Sequence, residues 1–230
     1  MTHTTAKAAA EARAAGTRQI TDRPQQRRGA PDVGTLAVVR GVALATEERK
    51  KGDSSTTVVT GYASVTEVPY EMYDFFGPYT EVVTRGAFEK TLAASPLVEF
   101  TVNHGAGGAL PMAHTRNGTL TLTEDQTGLS FEATVDTTRS DVADLVKALQ
   151  RGDMAEASFK FRIESGQWSP DYTEFRINAV DLEHGDVSSV NFGANPAATS
   201  GVREAQEPTS GAEPAADLRA AMLALALADD

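Results

Sequence analysis

Alternation of apolar and polar residues predicts that the middle of this 230-residue chain is rich in β-strands. In residues 156–165, "EASFKFRIES", phenylalanine and isoleucine alternate with serine, lysine and arginine. Successive side chains of a strand point to opposite faces, so this segment is predicted to form a strand with one apolar and one polar face. Other alternating or β-branched segments predict further strands, namely "TLAVVRGVAL", "STTVVTGYASV", "PLVEFTVNHG", "TEFRINAVDLE" and "DVSSVNF".

Turn-forming residues between these segments predict hairpins. The charged "EERKKGDSS" is predicted to be a hairpin loop, and "DQTG" is predicted to join "GTLTLTED" to "GLSFEATVD". With about eight strands and few helices, the pattern predicts a mainly β fold with helices (α+β). It favours a closed or nearly closed β-barrel with helices packed outside.

Two segments have the spacing of helices. In "TTRSDVADLVKALQRGD", apolar residues recur at i, i+3, i+4 and i+7, which places them on one helix face: Val142, Leu145, Val146 and Leu149. Ser140 or Thr138 can cap the start of this helix, and Gly152 can end it. The segment "RGAFEKTLAAS" predicts a second, shorter helix.

The two ends of the chain differ in composition from its middle. Residues 1–33 are rich in Ala, Arg, Gln and Thr and predict a flexible basic arm. The folded domain is predicted over residues 34–201. Residues 202–230 predict an acidic, alanine-rich tail, in which "ADLRAAMLALALADD" can form a short helix that is marginal in water without a partner.

Composition excludes several classes of protein and of site. The formal net charge of −11 disfavours binding to nucleic acid or to anionic membranes, because both rely on clustered Lys and Arg. The chain contains no cysteine, which excludes a disulfide, a thiolate zinc site and a cysteine nucleophile. The sequence shows neither the apolar run of about 20 residues that a membrane-spanning helix needs nor the apolar segment of a signal peptide.

The candidate chemistry begins with the histidines. His104 ends the predicted strand "EFTVNH", where alternation places it on the same face as Phe100 and Val102 and before the glycine-rich "GAGGA". There it is equally compatible with a core histidine and with a residue of a cleft. The histidines lack the HExxH spacing of a zinc site, and no metal or cofactor is predicted.

A serine hydrolase needs a hydroxyl, a base within hydrogen-bond reach and a group that orients the base. Ser158, His104 and an acid or second histidine near residues 184–186 would supply these groups. A Ser158–Lys160 dyad is less favourable, because residues i and i+2 of a strand are about 7 Å apart at Cα. The absence of a G-x-S-x-G elbow argues against an α/β-hydrolase.

A set of motifs carries a family resemblance. In order along residues 36–198, they are "GYASV", "RGAFEKTL", "VNHG", "GTLTLTEDQTGLSFEATV", "LVKALQRGDMAEASFKF" and "GDVSSVNFGANPAA". Jointly, these motifs resemble the HK97-type bacteriophage prohead protease family, the serine peptidases of capsid maturation. The resemblance implies a fold similar to the closed β-barrel of the herpesvirus assemblins, flanked by helices.

The resemblance also implies roles for individual residues. Ser158 corresponds to the nucleophile and His104 to the general base. Asp186 is favoured as the orienting acid, and His184 remains the alternative because the related assemblins use a second histidine. The sequence departs from the family where "NHG" replaces the commoner "NHD".

Two basic residues share the polar face of the strand that carries Ser158. Main-chain N–H groups are expected to stabilise the oxyanion, with support from Lys160 or Arg162. Lys160 is a second departure, because the family commonly has glycine at this position.

The implied function is that of an endopeptidase packaged inside the procapsid in the bacterial host and lost from the mature virion. Its expected substrates are the scaffold, or the scaffolding segment of the major capsid protein, and itself, with both ends of the chain as self-cleavage or docking segments. A homodimer is expected by analogy with the assemblins, whereas nucleic acid and membrane are not expected partners. The alternative is a non-catalytic capsid-assembly barrel in which Ser158 and His104 do not approach each other.

Overall fold

The computed structural model of the protein describes residues 5–29, 45–46, 48–51, 54–191 and 199–204. Within these ranges the chain forms, in order, α1 (Ala6–Gly16), β1 (Arg28–Gly29), β2 (Ala45–Thr46), β3 (Glu48–Lys51), β4 (Ser54–Val65), β5 (Tyr70–Tyr73), β6 (Pro78–Val83), α2 (Glu89–Ala93), β7 (Val98–Val102), β8 (Ala113–His114), β9 (Leu120–Glu124), β10 (Gly128–Asp136), α3 (Ser140–Arg151), β11 (Glu156–Trp168), β12 (Glu174–Val190) and β13 (Thr199–Glu204). The predicted strand "TLAVVRGVAL" and the predicted C-terminal helix lie outside the described residues.

One mixed sheet joins the described strands. Its main order is β1-β5-β6-β12-β11-β13-β4-β10-β9, with β2 on β13 and β3 on β4. The 17-residue β12 connects the parts of this sheet, because it pairs in parallel with β6 and then with β7, and antiparallel with β11. The strand β8 extends the β7 branch. The described chain is therefore mainly β with helices, as the sequence predicts.

The pairing of the described strands does not close the sheet into a barrel. The strands β1 and β9 end the main order, β8 ends the branch, and no ladder joins these ends within the described ranges. Strands far apart in this order nevertheless enclose a common core. Phe100 of β7 stacks on Phe131 of β10, with 5.6 Å between the ring centroids, and both residues are buried.

The helix α3 has the predicted apolar stripe, and all of its stripe residues are buried. The helix begins at Ser140 and ends at Arg151, and Gly152 ends it with a left-handed φ of 74°, as predicted. Arg139, rather than Ser140 or Thr138, occupies the N-cap position and makes no capping hydrogen bond with its side chain. The helices in the described part of the chain are all too short or too polar to cross a membrane.

The N-terminal segment, residues 5–29, packs on the sheet, whereas the sequence predicts a flexible arm over residues 1–33. The helix α1 buries Arg13, whose guanidinium donates to both carboxylate oxygens of Asp74 at 2.7 and 2.9 Å. The same guanidinium lies over the ring of Trp168, 4.7 Å from its centroid. This segment is therefore anchored by a buried ion pair and by cation–π contact.

The last residues of the N-terminal segment bind a second buried carboxylate. The strand β1 pairs antiparallel with β5. Next to it, Arg27 forms an ion pair with Glu81, which is fully buried and also accepts hydrogen bonds from the hydroxyls of Tyr70 and Tyr79. Both acidic partners of the segment belong to the β-rich domain. The composition of the segment alone does not reveal them and indicates a solvated arm.

Candidate active site

Four side chains of β11 and β12 form a polar patch on one face of the sheet, named the β11–β12 patch. Antiparallel pairing places Ser158 opposite Ser188 and Lys160 opposite Asp186. Directly opposed residues share a face, and so do residues two apart on one strand. The patch therefore brings together three of the predicted site residues, Ser158, Lys160 and Asp186, and a second serine.

A β-bulge in β12 lies beside this patch. The register pairs Lys160 with Asp186 but Arg162 with Asp181. Between these pairs, the single residue Phe161 of β11 opposes the four residues 182–185 of β12. His184 lies in the bulge with a φ of 58°, and its side chain is 72% exposed. The side chain of Asp186, by contrast, is only 8% exposed. The bulge thus places the two candidate orienting residues in different surroundings.

Gly185 lets the bulge approach β11 closely. A Cβ atom at Gly185 would lie 2.2 Å from the carbonyl oxygen of Lys160 and 2.9 Å from that of Leu182. Both are main-chain atoms, so we expect Gly185→Ala to push the strands apart. The expected loss is about 3 kcal/mol in the free energy of unfolding, the upper end of the usual range for overpacking. Urea unfolding followed by circular dichroism measures it.

The matched control for this substitution is Gly152→Ala. A Cβ atom at Gly152 would meet no atom within 4 Å, so only its left-handed φ of 74° carries a cost. That cost is about 1 kcal/mol. Equal losses in the two variants would show that the close approach of Gly185 to β11 contributes nothing to stability.

His104 follows β7 in a left-handed turn. The strand ends at Val102, before the predicted end at His104, and Asn103 and His104 have φ values of 46° and 58°. Asparagine, histidine and glycine tolerate this region better than other residues, which suits "NHG". The side chain of Asn103 also accepts the N–H of Asn191 at 3.1 Å. The sequence predicts the ring of His104 on the apolar face of Phe100, and this prediction is wrong. The turn interrupts strand alternation, so the ring lies over the β11–β12 patch instead.

Three members of the patch hold His104. Its ring nitrogen Nδ1 lies 2.7 Å from Oδ1 of Asp186. Its main-chain N–H donates to Oγ of Ser188 at 2.9 Å, and its carbonyl oxygen accepts from Nζ of Lys160 at 2.8 Å. The fourth member, Ser158, is the register partner of Ser188. The patch that contains Ser158 therefore fixes both the main chain and the ring of His104, and the described structure shows no hydrogen bond between that ring and the Ser158 hydroxyl.

The carboxyl of Asp186 is ionised in these surroundings. Burial raises its pKa, but the hydrogen bond with His104 and the ammonium of Lys160, 3.1 Å from Oδ2, outweigh burial and hold the pKa below its usual range. An ionised carboxylate can only accept hydrogen bonds, which assigns the proton of the neutral ring to Nδ1. Nε2 is then the acceptor. This tautomer is the one that a general base needs.

The two serines of the patch differ in their surroundings. Ser188 is fully buried, and its Oγ accepts from the main chain of His104 and from Thr101 and donates to the carbonyl of Ser189. Ser158 is partly exposed. Its hydroxyl makes no hydrogen bond to another described residue. Of the two, Ser158 is therefore the better candidate for a reactive hydroxyl.

Two other predicted residues have their contacts outside the patch. Arg162 donates to the carboxylate of Asp181 at 2.7 Å and to the carbonyl of Glu183 at 2.9 Å, and its side chain is 63% exposed. His184 lies beside Glu183, with 3.3 Å between Nε2 and Oε1. Neither side chain contacts His104 or Ser158 in the described structure.

Sequence reasoning misses Ser188 and Asn103, which position the main chain at this site. Ser188 binds the N–H of His104, and Asn103 starts the left-handed turn. A signal for Ser188 was present, because it follows Asp186 by two residues and strand alternation places both on one face. The turn at Asn103 is signalled only by the asparagine and glycine that flank His104.

The chain matches a family model along most of its length. The model of the caudovirus prohead serine protease matches residues 43–210, a range that includes Ser158, His104 and Asp186 and covers well over half of the 230 residues. No curated protein and no solved structure matches the chain. The family resemblance read from the motifs is confirmed, and with it the general activity of a serine peptidase of capsid maturation. The chain belongs to the caudovirus prohead serine protease family.

Proposed function

We propose that this chain is the endopeptidase that cuts the scaffold, or the scaffolding segment of the major capsid protein, inside the procapsid, and that it also cuts itself. Ser158 is the proposed nucleophile, His104 the general base and Asp186 the orienting acid. The observation that carries the assignment is the 2.7 Å contact between Nδ1 of His104 and Oδ1 of Asp186 on the patch that contains Ser158. The family match supports the serine peptidase chemistry.

In the proposed reaction, Nε2 of His104 takes the proton of the Ser158 hydroxyl while Oγ attacks the carbonyl carbon of the scissile peptide bond. The ionised Asp186 stabilises the imidazolium that forms. His104 then donates this proton to the leaving amine, the C–N bond breaks, and the acyl group remains on Ser158. A water molecule that gives a proton to the same ring hydrolyses the ester and restores the Ser158 hydroxyl.

The contacts favour Asp186 over His184 as the orienting group, because His184 is exposed and has no contact with the His104 ring. Main-chain N–H groups are the proposed donors to the oxyanion. The side chains of Lys160 and Arg162 already bind carboxylates, so we do not assign them to the oxyanion.

The proposed setting is the procapsid in the host cytoplasm, with later loss of the protease from the virion. A homodimer and a closed, assemblin-like barrel stay predictions, and closure needs strand pairing beyond the described ladders. Self-cleavage at the chain ends is also a prediction. The N-terminal segment is docked through Arg13 and Arg27, so a cut within it requires the segment to leave the sheet.

Co-expression with the major capsid protein of the same virus tests the proposed substrate. We expect the wild-type chain to shorten the capsid protein, and the Ser158→Ala chain to leave it whole, as measured by intact mass spectrometry. A capsid protein whose N-terminal scaffolding segment has been deleted is the control and should stay uncut. Identical masses with wild-type and Ser158→Ala chains would contradict the proposal.

A further inference from the structure

Lys160 contacts both members of the proposed His–Asp pair. Its Nζ lies 3.1 Å from Oδ2 of Asp186 and donates to the carbonyl oxygen of His104 at 2.8 Å. The other carboxylate oxygen of Asp186, Oδ1, lies 2.7 Å from Nδ1 of His104. One ammonium therefore closes a ring of contacts that runs through the carboxylate, the imidazole and the main chain of His104.

The position of Lys160 on β11 makes these contacts possible. Lys160 is the register partner of Asp186, so the two side chains leave the sheet next to each other on the same face. The side chain of Lys160 is 56% exposed and that of Asp186 is 8% exposed. The cation thus reaches the carboxylate from the solvent side, while His104 reaches it from the turn after β7.

We propose that Lys160 is a positioning residue of the protease, whose ammonium fixes the Asp186 carboxylate and the His104 main chain so that the His104 ring is aimed at Ser158. This inference rests on the proposed function. A carboxylate held at both oxygens cannot rotate away from the imidazole. A left-handed residue held at its carbonyl cannot relax towards extended backbone, which otherwise relieves its strain.

The charges around His104 determine what the loss of this ammonium does. In the described part of the chain, the charged side chains that contact His104 are those of Asp186 from β12 and Lys160 from β11, and Glu99 of β7 is the register partner of Asp186 and of His114 of β8. The carboxylates favour a protonated imidazole and the ammonium opposes it. Without the ammonium, the protonated ring becomes more favourable, so the base form needs a higher pH.

Two variants and a matched control test the role of Lys160. Lys160→Met removes the charge and keeps an unbranched side chain, whereas Lys160→Arg keeps the charge. Lys147→Met is the control, since Lys147 lies on α3, is 69% exposed and pairs with Asp144. The rate at which a fluorophosphonate probe labels Ser158, followed by mass spectrometry between about pH 5 and pH 9, measures the reactivity of the nucleophile.

We expect Lys160→Met to lower the labelling rate about tenfold at neutral pH, because the base is less well aimed. The acidic limb of its pH–rate profile should move upward by about half to one pH unit. Lys160→Arg should stay within about threefold of the wild-type rate, because the charge is kept. Lys147→Met should match the wild type. A rate that falls equally at every pH, with the acidic limb unmoved, would overturn the proposal, because a merely structural role has this signature.

A second measurement separates this inference from the proposed function. The ring resonances of His104 can be titrated by NMR in Ser158→Ala protein, which needs no catalysis, and identified by their loss in His104→Gln. Movement of this titration to higher pH in Lys160→Met supports the positioning role of Lys160, whether or not the probe labels Ser158. Failure of the probe to label Ser158 would contradict only the assignment of Ser158 as the nucleophile. An unmoved titration overturns the role of Lys160.

Discussion

Ser158→Ala is expected to slow peptide-bond hydrolysis by about 10⁴- to 10⁶-fold, the effect of removing the nucleophile from a serine–histidine site. The fold should survive this change. Ser158 is partly exposed and its hydroxyl makes no hydrogen bond to another described residue, so its loss leaves no buried group without a partner. Single-turnover cleavage of a peptide from the scaffolding segment measures the rate, and thermal unfolding measures the stability.

Ser188→Ala is the matched control, because it removes the same atoms from the neighbouring position of the patch. Ser188 is fully buried and its Oγ binds the N–H of His104. Its loss should lower stability by about 1–3 kcal/mol, since it removes the acceptor of the His104 N–H and of the buried Thr101 hydroxyl, and should leave measurable hydrolysis. If Ser158→Ala cleaves at the wild-type rate, Ser158 is not the nucleophile. If neither the wild type nor Ser188→Ala cleaves, the non-catalytic assembly barrel becomes the better interpretation.

Elements that depend on local pattern are the ones that the sequence predicts well. The stripe of α3 and the hairpin of β9 and β10 each occupy one short stretch, and their apolar spacing and turn residues suffice to locate them. The strand β12 shows the limit of this approach. The sequence predicts two strands there, "TEFRINAVDLE" and "DVSSVNF", whereas the chain forms one 17-residue strand with a bulge at His184. Whether such a stretch ends a strand or forms a bulge depends on how the neighbouring strand pairs with it. The spacing of residues along the sequence does not specify this pairing.

The candidate site likewise has parts that the sequence predicts and parts that it does not. Ser158, His104 and Asp186 can be named from motifs in order along the chain. The sequence cannot show that a left-handed turn carries the His104 ring across to Asp186, because this contact joins residues 82 positions apart. Nor can it show that Lys160 binds Asp186 instead of facing an oxyanion. That contact depends on the register of β11 against β12, which the bulge changes two residues later.

Arg13→Met is expected to lower the free energy of unfolding by about 3–5 kcal/mol, the usual cost of breaking a buried ion pair from one side. The side chains of Arg13 and Asp74 are each only 1% exposed, so methionine would leave Asp74 as a buried charge without its cation. The change also removes hydrogen bonds from the guanidinium to the carbonyls of Tyr172, Gly77 and Pro78. Urea unfolding of the full chain, followed by the fluorescence of its single tryptophan, measures the loss.

Two further variants separate the buried pair from the general basicity of the N-terminal segment. Arg18→Met removes an exposed arginine of the same segment and should change stability by less than about 0.5 kcal/mol. Arg13→Met combined with Asp74→Asn removes both charges and should recover part of the loss, because no buried charge remains. Equal, small effects of Arg13→Met and Arg18→Met would mean that residues 5–29 are the solvated arm that their composition indicates. A large effect of Arg13→Met alone would make this segment part of the folded unit, so that any processing within it would have to break a buried ion pair first.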